Sequence, residues 1–194
     1  MKIPLGIHKA ALLVSIAFFL GLSSPANASS IVVGTYYEFG FSTAGTAATG
    51  CDPADPAGPF CIESSGTPTT FLPAGPWTFT APLGAVLTVT DAFSAGDRFE
   101  VFDFGVSLGL TSAPFGSADC GDDPAVCLVT AGISTGSFGL AAGAHSLTIT
   151  PTLSPDGGGS GYFTVAVVPE PGSVLLLSAG MGILLLVRKR KAER

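Results

Sequence analysis

Apolar and hydroxyl-bearing residues alternate one for one through the middle of this chain, and that period of two restricts its fold more than any other feature. In Trp77-Thr78-Phe79-Thr80 the rings fall on one side and the threonines on the other. Leu87 and Val89 alternate with Thr88 and Thr90, and Phe99 and Val101 with Arg98 and Glu100. Leu147 and Ile149 alternate with Ser146, Thr148 and Thr150, and Phe163, Val165 and Val167 with Tyr162, Thr164 and Ala166. Successive side chains of a strand point to opposite faces, so these segments read as strands with one face buried. Turn signals separate them at 73–76, 82–84, 94–97, 142–143 and 156–159. Further strands near Val32–Phe41, Val106–Leu110 and Gly136–Leu140 bring the number to about eight. The expected fold is all-β, an antiparallel jelly-roll-like β-sandwich. Two stretches, Thr43–Thr69 and Ala113–Ala131, read as long loops.

The two ends follow another logic. Lys2 and Lys9 precede a mostly apolar stretch, Ala10–Leu22, and then Ala26-Asn27-Ala28. A basic start, a short apolar middle and an Ala-x-Ala end describe a secretory signal peptide over residues 1–28, cut after Ala28. At the other end Gly172–Val187 carries no charge, and Arg188-Lys189-Arg190-Lys191 follows at once. Sixteen residues span roughly 24 Å as a helix, a short transmembrane segment that a snorkelling basic end makes tolerable. Clustered cations stay cytoplasmic, so everything before Gly172 is expected on the far side of the membrane, as the signal peptide also requires. The expected organisation is a signal peptide at 1–28, an exported body at 29–168 and a C-terminal tail at 169–194.

Between body and tail stands Pro169-Glu170-Pro171, a stiff junction that neither helix nor strand absorbs. Pro-Glu-Pro, a short apolar span and a terminal Arg/Lys cluster together resemble the PEP-CTERM sorting signal of Gram-negative bacteria, also catalogued as an ice-binding protein C-terminal domain. The resemblance covers Val168–Arg194 and implies nothing about ice binding by the rest of the chain. It implies recognition of Pro169-Glu170-Pro171 by exosortase, a membrane protease-transpeptidase, with loss of the tail and release or surface attachment beside extracellular polysaccharide. The stretch Thr88–Gly105 is similar to one common in exported PEP-CTERM proteins, and loosely to CUB-like and pre-peptidase C-terminal sandwiches. It reads as a strand, a Gly-Asp turn, a second strand and a hairpin at Asp103–Gly105, where Phe104 replaces the usual Asn.

Charge narrows the partners. The 140-residue body holds twelve acids against Arg98 alone, a formal −11. Such a body repels nucleic acid and anionic lipid, which makes both poor partners, and no nucleic acid is expected. The partners expected are a signal peptidase, an exosortase-type protease and extracellular polysaccharide. All four cysteines lie in the body, which suggests two disulfides formed in an oxidising compartment. Three pairings are open. Cys51–Cys61 and Cys120–Cys127 are preferred because each brackets one Pro/Gly/Asp-rich stretch. Neither spacing is Cys-x-x-Cys, which argues against zinc.

Three constellations bear on chemistry. Asp119, Asp122 and Asp123 crowd one loop and are weak calcium candidates, and Asp91, Asp97 and Asp103 could converge at one rim. No cofactor is expected, and calcium is the one the sequence leaves open. Tyr36, Tyr37, Trp77 and Tyr162 are candidates for stacking on sugars, yet the body lacks Asn, Gln and Lys, the usual donors. Gly105-Val106-Ser107-Leu108-Gly109 matches G-x-S-x-G, with His145 as the body's only histidine base. That motif needs a strand-turn-helix, whereas here it reads as the return strand of a hairpin, so no enzyme is expected. The expected role is a structural component of the cell envelope or extracellular matrix, with a carbohydrate- or calcium-binding adhesion module as the alternative.

Overall fold

The structure is a computed structural model that describes residues 28–168 apart from 53, 55–57 and 60. Ala26, the apolar signal segment, Pro169-Glu170-Pro171, the apolar tail and Arg188–Lys191 lie outside the described residues. Within them no helix is long and apolar enough to cross a membrane.

The elements in chain order are β1 (Ser29–Ser30), β2 (Tyr36–Phe41), β3 (Thr49–Gly50), β4 (Thr69–Phe71), β5 (Trp77–Ala81), β6 (Ala85–Asp91), β7 (Arg98–Asp103), β8 (Val106–Leu110), α1 (Pro124–Cys127), β9 (Thr135–Leu140), β10 (Gly143–Leu153) and β11 (Gly159–Val167). Every alternating segment has become a strand, and three short strands, β1, β3 and β4, join them. The loop expected at 113–131 contains one helical turn. Its start follows from local chemistry: the Asp123 carboxylate accepts the Ala125 N–H at 2.9 Å, and Pro124 opens the helix where no amide is needed.

The strands form two sheets, ordered β1-β5-β10-β7-β8 and β3-β2-β11-β6-β9, with β4 also on β2. All pairings are antiparallel except β1 on β5 and β4 on β2. Among the eight longer strands, one sheet reads first-eighth-third-sixth and the other second-seventh-fourth-fifth, so chain-adjacent strands repeatedly cross between layers.

The inward residues of both sheets share one core. Tyr37, Phe39, Phe41, Leu87, Val89, Phe163 and Val165 face Trp77, Phe79, Phe99, Val101, Leu147 and Ile149. Aromatic rings bridge the layers: Phe39 meets Phe99 edge-on at 5.3 Å, and Trp77 meets Phe163 at 5.0 Å. Trp77 is fully buried, with its indole N–H donating to Pro73 O at 3.0 Å. Rings of this size bury about 150–250 Å² each, so this cluster is a dominant apolar contribution to the core.

The outer face of the sheet centred on β11 is covered as well. A second apolar cluster of Ala92, Cys120, Cys127, Ile133 and Tyr162 sits there under the loop that carries α1. The other cover is the loop around the first cysteine pair. Both pairs are bonded, Cys51–Cys61 and Cys120–Cys127, with Cα–Cα separations of 5.9 and 4.9 Å.

Candidate functional site

The two stapled loops clasp each other over β2 and β11 through the acids singled out for calcium. Asp122 accepts the Ser65 N–H at 3.0 Å and the Ser65 hydroxyl at 2.7 Å, and these bonds hold its carboxyl below the usual range. Asp123 caps α1, and a Cβ at Gly66 would overlap its carboxylate, so the two loops are in close contact here. Asp119 accepts the Gly121 N–H at 2.8 Å within its own turn. Each carboxylate of this trio thus serves a backbone or hydroxyl donor. Among the described residues no three acids bring carboxylate oxygens within 4.8 Å of one another.

Under the clasp lies Glu38. Inward residues of β2 alternate through Tyr37, Phe39 and Phe41, which sends Glu38 outward, and the loops then bury it completely. Neither carboxyl oxygen has a hydrogen-bond partner. Burial drives its pKa to about 7, while the nearby Ser160 hydroxyl and Ile62 amide pull it down without reaching hydrogen-bond geometry, and Asp122 pushes it up. Tyr162, opposite Glu38 in the β2–β11 register, is fully buried and donates its hydroxyl to Asp122 O at 3.0 Å. Burial, and next the Glu38 charge, raise its pKa.

The rim acids divide. Asp91, fully buried at the end of β6, accepts the Ala92 N–H at 2.9 Å and the Asp97 N–H at 3.1 Å, and so ties down the 92–97 loop. Burial, then the neighbouring Asp97 charge, lifts its pKa to about 8. Burial and the Asp156 charge raise Asp97 too. Asp103 does not join them. Its Oδ2 lies 2.8 Å from His145 Nδ1, and its Oδ1 accepts the Ser146 N–H at 2.9 Å.

His145 is buried, stacked on Phe79 at 4.9 Å, and its Nε2 lies 2.9 Å from Ala141 O. Both ring nitrogens are therefore engaged, Nε2 by the Ala141 carbonyl and Nδ1 by the Asp103 carboxylate, and neither is paired with a nucleophilic hydroxyl. Ser107, on exposed β8, donates to Glu100 Oε1 at 2.6 Å instead. The G-x-S-x-G segment is the strand of a hairpin, not a strand-turn-helix, and His145 is engaged elsewhere rather than at its serine.

The aromatic candidates for sugar stacking are corrected by burial. Trp77, Tyr37 and Tyr162 are core residues, with Tyr37 Oη accepting the Val32 N–H at 2.7 Å. Of the four, Tyr36 alone is partly exposed. A β-sandwich packs its alternate aromatics between its layers, and Tyr162, on the outer side of β11, is buried instead by the loop that carries α1.

Compared with protein-family models, curated proteins and solved structures, the chain matches none.

Proposed function

We propose that this is a non-enzymatic exported protein, sorted through its C-terminal tail and built into the cell envelope or extracellular matrix as a jelly-roll β-sandwich. A signal peptidase cuts after Ala28. The apolar segment before Arg188-Lys189-Arg190-Lys191 then holds the body outside the cytoplasm until an exosortase-type protease acts at Pro169-Glu170-Pro171. The strand order first-eighth-third-sixth against second-seventh-fourth-fifth supports the jelly-roll assignment.

The observation that carries the reading is the pair of disulfides in a body of formal charge −11, since stable disulfides belong to oxidising compartments outside the cytosol. A structural role is favoured over adhesion because Asp119, Asp122 and Asp123 have donors of the protein's own and most of the candidate stacking rings are buried. Mass analysis of the mature protein from its native host tests the sorting route. Termini near Ser29 and Pro169 are expected; a mature chain that keeps Leu184–Arg194 refutes processing. Glycan binding that disappears with a chelator would replace the structural role by the adhesion module.

A further inference from the structure

The disulfide at Cys51–Cys61 has a neighbour that its sequence spacing does not announce. A carboxyl oxygen of Glu38 and the Sγ atoms of Cys51 and Cys61 all lie within 4.8 Å of one another. Glu38 is fully buried, Cys51 likewise, and Cys61 is 7% exposed. Ser160, 2% exposed, adds a hydroxyl oxygen that has no partner either. A buried carboxyl without a hydrogen bond is costly, and native interiors rarely retain one without a reason. While the sulfurs are bonded to each other they give that carboxyl nothing strong to bind.

We propose that Glu38, Cys51 and Cys61 are the ligands of a zinc site that exists when the Cys51–Cys61 bond is open, with Ser160 Oγ beside it as a fourth ligand atom. An external dithiol opens the bond: its two sulfurs join to each other, and two electrons and two protons pass to Cys51 and Cys61. Zinc then displaces both thiol protons to solvent and binds two thiolates and the Glu38 carboxylate, for a net charge of −1. Zinc–sulfur bonds of about 2.3 Å and zinc–oxygen bonds of about 2.0–2.2 Å put tetrahedral ligand atoms well inside 4.8 Å of each other. The sulfurs need only part from bonded to non-bonded distance. Two thiolates select zinc over calcium or magnesium, which want oxygen alone. The loop over β2 is then fastened in either redox state, by a covalent bond after oxidation and by metal before it.

The test uses the full chain in detergent micelles, carrying Cys120→Ser and Cys127→Ser so that thiolates arise only from the first pair. After reduction by a phosphine, which leaves no competing thiol, Co²⁺ is added as the optical probe and Zn²⁺ as its competitor. One equivalent of cobalt should give tetrahedral cobalt–thiolate absorption that zinc abolishes. Glu38→Gln should weaken zinc at least tenfold, and Cys51→Ser should remove the absorption. If reduction costs the chain its β circular dichroism, zinc should restore it in the parent and not in Glu38→Gln. Absent cobalt–thiolate absorption, equal zinc affinity in Glu38→Gln, equal binding by the oxidised chain, or failure of zinc to refold a reduced and unfolded parent would each overturn the site.

Discussion

Phe104 holds a backbone φ of 48° at the tip of the β7–β8 hairpin, followed by Gly105 at 77°, and its ring is 66% exposed. Two left-handed residues in a two-residue loop match the twist of antiparallel strands, and Asn-Gly is the usual solution. Phenylalanine incurs steric strain there and recovers little burial. Phe104→Asn should therefore stabilise the protein by about 1 kcal/mol, seen as a rise of a few degrees in thermal midpoint. An unchanged or lower midpoint would show that the ring makes a contact worth more than the strain. A second residue-scale prediction concerns charge. Asp91 stands near 3.8 when solvated and at about 8 in the fold, so the unfolded chain releases its proton first. Stability is full below about pH 4, falls as pH rises towards 8, and levels off above it. Asp97→Asn removes the like charge beside Asp91 and the burial cost of a second carboxylate. The variant should approach the parent at about pH 4 and exceed it by on the order of 1 kcal/mol at pH 9, in urea midpoints across that range. Parallel pH profiles would show that Asp97 does not set the Asp91 shift.

At the scale of elements, the staples and the clasp do separate jobs. The Cys120–Cys127 bond closes a short loop around α1, so replacing both cysteines by serine should cost about 2.5 kcal/mol or less in guanidinium unfolding. Asp122→Ala breaks both bonds to Ser65 while leaving the disulfides intact. It should speed proteolytic cutting in the 62–69 segment severalfold with a global loss of only about 1 kcal/mol. Cutting elsewhere, or none, would show that the loops hold without the clasp. These elements also mark how far the sequence could be read. β8 coincides with the expected Val106–Leu110 from end to end, although only Leu108 packs against the core while Val106 and Leu110 stay exposed. β10 runs beyond its alternating centre at 146–150, through Pro151 to Leu153. The register shift between Pro151 and Leu153 absorbs the missing amide, as a bulge in a central strand must. β11 begins at Gly159, inside a run that read as a turn, because Gly161 lets the strand pass against the Phe39 ring. Glu38 was hidden for a different reason: the pattern sends it outward, and its cover comes from the stapled loops and Asp122, which no local period encodes.

For the whole molecule, the governing quantity is a body of formal charge −11 with one arginine. Arg98 donates its Nε–H to Thr111 O at 3.0 Å, and the one acid–base side-chain contact among the described residues is that of His145 with Asp103. Attraction between surface charges therefore contributes little, and mutual repulsion among the acids opposes compaction. Raising sodium chloride from about 0.01 M to about 1 M shortens the Debye length from roughly 30 to roughly 3 Å and should raise the urea midpoint of the full chain, the opposite of what a fold held by surface ion pairs would show. Calcium at matched ionic strength separates screening from binding. Because Asp119, Asp122 and Asp123 already serve donors on the two loops, calcium should stabilise no more than magnesium does. A calcium-specific rise that saturates at low concentration would mean that the clasp rearranges around a metal, and the adhesion reading would then displace the structural one.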